Sequence, residues 1–131
     1  MYSYSQQSGS LFGSITPTFV HEPHFFIKIG EKYRKLNWSN VAYMRADGKY
    51  TCIFNTSDER EYPIRSTLTR TLHDIVPLSY RADFVQVNRA EAVHLAHITE
   101  FCGQEVKTRY NTMHLSDMYS KLLRESVTCL I

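Results

Sequence analysis

The chain has 131 residues, 43% of them hydrophobic and 13% aromatic, which is enough apolar surface for one core and too short a chain for several. Fifteen Lys and Arg against thirteen Asp and Glu leave a formal charge of +2, so composition alone does not announce a nucleic-acid partner. No stretch approaches the roughly 18 apolar residues of a membrane span, and the N-terminus lacks the charged start and apolar run of a signal peptide; a cytoplasmic protein with no membrane partner is the default expectation.

Residues 1–24 are rich in Ser, Gln, Tyr and Gly and are broken by Pro17 and Pro23, which predicts an irregular or disordered leader. From Phe25 the texture changes. FFIKI and YRKLN show strand alternation around Gly30-Glu31-Lys32 and predict a hairpin; Trp38-Ser39-Asn40 then opens a turn. Asp47-Gly48 is the strongest hairpin signal, because both residues tolerate positive φ, and it joins VAYMRA to KYTCIFN. Alternation in KYTCIFN predicts one buried and one partly solvated face. Pro63 in EYPIR cannot donate to a ladder and marks an edge strand.

STLTRTLHDIV changes period. Leu68, Leu72, Ile75 and Val76 recur at helical spacing behind Ser66 as N-cap, with Pro77 as stop, predicting one amphipathic helix of about three turns. FVQV, EAVHL, ITEF, EVKTRY and TMHL then read as short strands, with a turn at Asn111-Thr112. SDMYSKLLRES reads as a final helix capped by Ser116, with Tyr119, Leu122 and Leu123 facing inward. The expected fold is mainly β with two short helices.

Candidate chemistry is sparse. Cys52, Cys102 and Cys129 form no C-x-x-C pair and read as buried or reduced thiols. His21-x-x-His24 and His94-x-x-His97 have metal-compatible spacings but no convincing further ligand, and the second pair falls in a strand region, where i and i+3 point to opposite faces. His73 and His114 have no signature nucleophile, and Gly-rich phosphate loops are absent. Neither an enzyme nor a cofactor is expected. Lys28, Lys32, Arg34, Lys35, Arg45 and Lys49 crowd the first half of the foldable region, as a basic face or merely a solvated surface.

Taken in order, VAYMRADGKYTCIF, a strand and a Ser-x-Leu helix opening, FVQVNRAEAVHLAHI, a hairpin and LSDMYSKLL resemble the LytTR-type DNA-binding domain of bacterial response regulators, over roughly residues 25 to 126. No single block is specific; three in the same order and spacing are. The resemblance implies an elongated stack of small antiparallel sheets over a domain 25–131, and connecting loops that enter successive DNA grooves. Carried over by position, it points to Lys49 and Tyr50 in the first block, Asn88 and Arg89 in the second, and Ser116 and Asp117 in the third. Such residues suit the task because bases are read by donors and acceptors while phosphates are held by cations and backbone N–H groups.

The bland readings stand beside these. Tyr50 could simply pack, Arg89 could pair with Glu91, and Ser116 could be only a helix cap with Asp117 favoured at the positive helix end. Three positions depart from the family: Asn88 stands for the usual His, Ala90 for the usual Ser and Asp117 for the usual Arg. The expected function is a DNA-binding transcription regulator without cofactor; the alternative is a protein-interaction module that keeps the fold with weakened or lost DNA binding. The leader is too short for a phosphoryl-accepting receiver domain, so control is expected from a homodimer or a separate regulatory protein on double-stranded DNA.

Overall fold

The structure, a computed structural model, describes residues 23–130. All but the end of the expected leader lies outside them, and His24 already belongs to the first strand.

Among the described residues, ten strands make three antiparallel sheets. The first is a hairpin of β1 (His24–Ile29) and β2 (Lys32–Asn37), turned at Gly30, whose φ of +62° suits glycine. The second has five strands: β3 (Val41–Asp47), β4 (Tyr50–Asn55), β5 (Arg60–Ile64), β6 (Phe84–Asn88) and β7 (Glu91–His94), in the order β5-β4-β3-β7-β6. The third joins β8 (Ile98–Cys102), β9 (Glu105–Thr108) and β10 (Thr112–His114) around central β9. The chain closes with a helix, Asp117–Ser126.

The five-stranded sheet organises the rest because both its faces are covered. On one side Tyr43, Phe54, Val85, Val87 and Val93 pack with Val106 and Met113 of the third sheet and with Leu115 and Leu123. On the other, Val41, Met44, Ile53, Phe84 and Ala92 pack with Trp38, Leu68 and Val76. Alternation along β3 feeds both cores, and the register shift between Val41 and Tyr43 puts the adjacent Ala42 and Tyr43 on the same side while Val41 and Met44 serve the other. The half-solvated reading of KYTCIFN is therefore corrected: Thr51 to Asn55 are all buried, and the Thr51 hydroxyl donates to the Ser66 carbonyl at 2.8 Å. Tight alternation cannot tell a one-sided strand from a central one when small and polar residues find internal partners.

β5 is an edge strand, as Pro63 requires. The Asp47-Gly48 turn is formed, with Gly48 at φ +60°. The three-turn helix is not. One α turn, α1 (Leu68–Arg70), widens into a π turn at Thr71–Ile75, and a second short helix, α2 (Leu78–Arg81), follows Pro77. The cap is Thr67, whose hydroxyl accepts from the Arg70 N–H at 3.1 Å, rather than Ser66. Ile75, expected inside, is exposed because the wide turn rotates it off the apolar stripe. In the final helix, α3, Leu123 is buried and Tyr119 half-buried, while Leu122 is exposed, against expectation.

The hairpin of β1 and β2 lies over β5. Ile27, Leu36 and Tyr62 form a small core beneath it, and Asp58 in the β4–β5 turn locks it down. The Asp58 carboxylate accepts from Arg34 at 2.9 Å, Asn55 at 3.0 Å, the Arg60 N–H at 3.2 Å and the Tyr62 hydroxyl. Burial alone would raise its pKa, but these donors and the Arg34 charge outweigh it and hold the carboxyl below its usual value.

Candidate nucleic-acid interface

Three chain reversals carry the six residues singled out from the sequence, and hydrogen bonds tie them into one edge of the molecule. The β3–β4 turn presents Lys49 and Tyr50, both exposed, Tyr50 by 42%. Beside it runs the β6–β7 turn with Asn88 and Arg89; the Ala46 N–H donates to the Ala90 carbonyl at 2.7 Å, linking the two reversals. Next comes the β10–α3 junction with Ser116 and Asp117, where the Ser116 N–H donates to the Val87 carbonyl at 3.0 Å. The β6–β7 turn is thus braced from both sides by the main chain.

Asn88 is the hub of this bracing. Its amide donates to the His114 carbonyl at 2.8 Å and to the Glu91 carboxylate at 2.9 Å, and its oxygen accepts from the Ala90 N–H at 2.8 Å. Two donors and one acceptor are all engaged inside the protein. The side chain therefore fixes where Arg89 stands and what β10 does, a role hidden in the sequence because His114 lies 26 residues away. Position 91 is occupied too: Glu91 serves Asn88, and among the described residues no carboxylate lies within ion-pair distance of Arg89. Arg89 is exposed; its own carbonyl accepts a long 3.4 Å bond from Gln86.

Ser116 starts α3 through its backbone. Its carbonyl accepts from Tyr119 and Ser120 at 3.0 Å each, while its hydroxyl makes no capping bond. Asp117 is exposed in the first helical turn, where the helix dipole favours a carboxylate.

Behind the edge, Arg45 grips Glu61 with two forks of its guanidinium, at 2.7 Å from Nη2 and 2.9 Å from Nε, and Tyr43 donates its hydroxyl to the same carboxylate at 2.9 Å. The bond from Arg45 holds the Glu61 pKa below the usual carboxylate range, while burial and Glu61 raise that of Tyr43. Arg45 and Arg34 are thus neutralised by Glu61 and Asp58, and the basic residues of the first half do not form one continuous face.

His94 and His97 need correction as well. A 3-10 turn at Leu95–His97 replaces the expected strand and brings the two rings edge to face, 5.1 Å between centroids. One nitrogen of each is engaged: His94 Nδ1 accepts from the Ala96 N–H at 3.1 Å and His97 Nε2 meets the Ser39 carbonyl at 2.9 Å. Burial and then the neighbouring His97 lower the His94 pKa. Among the described residues no group of three or more His, Cys, Asp or Glu is placed to hold a metal, and no helix is long and apolar enough to cross a membrane.

Comparison with known proteins adds three findings. A search of curated proteins gave no match. Among solved structures, the fold resembles the LytTr DNA-binding domain of a Bacillus cereus protein described as a methyl-accepting/DNA response regulator, with a TM-score of 0.63 at 16% identity over 79% of this chain and 95% of that one. The family model for the LytTr DNA-binding domain matches residues 31–128. The chain belongs to the LytTR family of DNA-binding domains.

Proposed function

We propose that the chain is a transcription regulator that lays the braced edge along duplex DNA, with the Lys49–Tyr50 and Ser116–Asp117 reversals entering successive grooves and Arg89 contacting the backbone or groove between them. The observation that carries this reading is the cross-linking of three reversals by Ala46–Ala90, Asn88–His114 and Val87–Ser116 bonds, with an exposed guanidinium at the centre that has no carboxylate within ion-pair reach among the described residues. A rigid array of this kind loses little entropy on binding. Lys49 and Arg89 supply the cations that displace counterions, Tyr50 and Ser116 supply hydroxyls, and Asp117 accepts from cytosine N4 while disfavouring close phosphate. Asn88 acts by positioning. Pairing of two copies, or a separate regulatory protein, supplies the control.

The test is selection of duplex sites from a random pool with the purified protein, followed by binding measured across a salt series. Affinity is expected to fall linearly on a log–log plot against salt. Arg89→Ala should weaken binding by about 1–3 kcal/mol without unfolding the protein. A flat salt dependence would instead favour the protein-interaction reading, and unchanged binding by a folded Arg89→Ala variant would move Arg89 to a structural role.

A further inference from the structure

The hairpin of β1 and β2 has a second face that the duplex edge does not use. Pairing puts Phe25 opposite Leu36 and Ile27 opposite Arg34 on the inner side, where Ile27 and Leu36 are buried and Arg34 reaches Asp58. The outer side therefore carries Phe26 opposite Lys35 and Lys28 opposite Tyr33. Phe26 is 60% and Tyr33 66% exposed, both lysines are exposed, and the Lys28 ammonium lies 6.0 Å from the Tyr33 ring centroid. Neither strand contains a carboxylate.

Phe26 and Tyr33 keep more than half of their surface in water, so ring area on this face is open to a ligand, and each ring is paired across the strands with a cation. Phe26 and Tyr33 sit diagonally across the strand pair, about 7–8 Å apart by sheet geometry, each with a lysine directly across from it. Rings offered singly at such a spacing can each receive one unstacked base, while the lysines collect phosphates. A duplex gains nothing from them because its base faces are already covered. A globular protein partner fits poorly by size: six residues of strand and two strands span roughly 20 Å by 10 Å, about 200 Å², against the roughly 800 Å² that each side of a stable protein complex buries. A few nucleotides need no more than this.

We propose that the outer face of the β1–β2 hairpin binds single-stranded nucleic acid, with Phe26 and Tyr33 each stacking a base and Lys28 and Lys35 holding the backbone. This surface is independent of the edge carrying Arg89. The test is fluorescence anisotropy of the full chain with labelled oligo-dT, oligo-U and a random-sequence duplex. Phe26→Ala and Tyr33→Ala are each expected to weaken single-strand binding by about tenfold, with duplex affinity and urea midpoint unchanged, and Tyr33→Phe should retain binding. Arg89→Ala should do the converse, so the duplex reading and this one fail separately. Tighter oligo-U than oligo-dT would assign the surface to RNA, and the reverse to DNA. Single-strand binding that is absent, or that survives the Phe26→Ala/Tyr33→Ala double substitution, overturns the proposal. So does displacement of oligo-dT by poly-glutamate as readily as by unlabelled oligo-dT, which would identify a site for acidic polypeptide.

Discussion

Asn88→Ala separates bracing from contact at the proposed interface. The substitution removes three hydrogen bonds of 2.8, 2.8 and 2.9 Å, one of them to a carboxylate. The groups released are in part solvated, since Ala90 and His114 are exposed, so water replaces the lost partners and each bond counts near the middle of the usual net range. The sum is about 2–3 kcal/mol, or a fall in Tm of about 10 °C for a domain of this size. Urea and thermal unfolding followed by far-ultraviolet circular dichroism measure it. Arg89→Ala, one residue on, should change stability by no more than about 0.5 kcal/mol, because the side chain is exposed and has no ion pair among the described residues. Asn88→Asp keeps the acceptor for the Ala90 N–H but loses both donors and sets a second charge beside Glu91, so it should be at least as damaging near neutral pH. If Asn88→Ala unfolds at the wild-type urea concentration yet weakens duplex binding as much as Arg89→Ala, the bracing role is refuted and Asn88 touches DNA directly.

Asp58→Ala should cost about 2–4 kcal/mol by depriving the buried Tyr62 hydroxyl, Asn55 and the Arg60 N–H of their acceptor, with the part owed to half-exposed Arg34 small; a loss under about 0.5 kcal/mol in urea titration would show that apolar packing alone holds the hairpin. His94 has a lowered pKa in the folded state, so the unfolded chain binds its proton first and stability should decline as pH falls from about 7 towards 5. The facing groups are His97, whose charge would add to the penalty, and Asp83, which opposes it. His94→Asn retains an acceptor near the Ala96 N–H and should flatten the decline measured by urea midpoints; an unaltered slope would assign it to other groups.

Much of the fold was legible where local chemistry dictates geometry. Asp47-Gly48 and Gly30 announce reversals because positive φ is cheap there, and Pro63 announces an edge. The widened turn after Thr67 is not legible because the Leu68–Leu72–Val76 spacing is compatible with both an α helix and a π turn, and nothing local reports that Thr51 captures the Ser66 carbonyl. The two covered faces of β4 are illegible for the same reason: burial of its polar side chains depends on partners far along the chain. The six candidate positions follow from the resemblance and its block order, not from periodicity. That they share one edge follows from pairings such as Ala46 with Ala90 and Val87 with Ser116, which depend on tertiary register. The engagement of Asn88 was illegible for that reason too.

If the three reversals contact DNA as proposed, the main-chain links among them constrain how target preference can diverge. A residue inserted between positions 47 and 50 would strain the Ala46–Ala90 link, and one inserted near position 115 would strain the link to Val87. Interrupting either leaves backbone polar groups to be satisfied anew. Drift in target choice is therefore channelled into exchange of side chains at constant loop length. Asn88, Ala90 and Asp117, where the family resemblance implies His, Ser and Arg, are exchanges of that kind: Asn88 ties the reversals together through its internal bonds, and Asp117 changes what the proposed third contact offers.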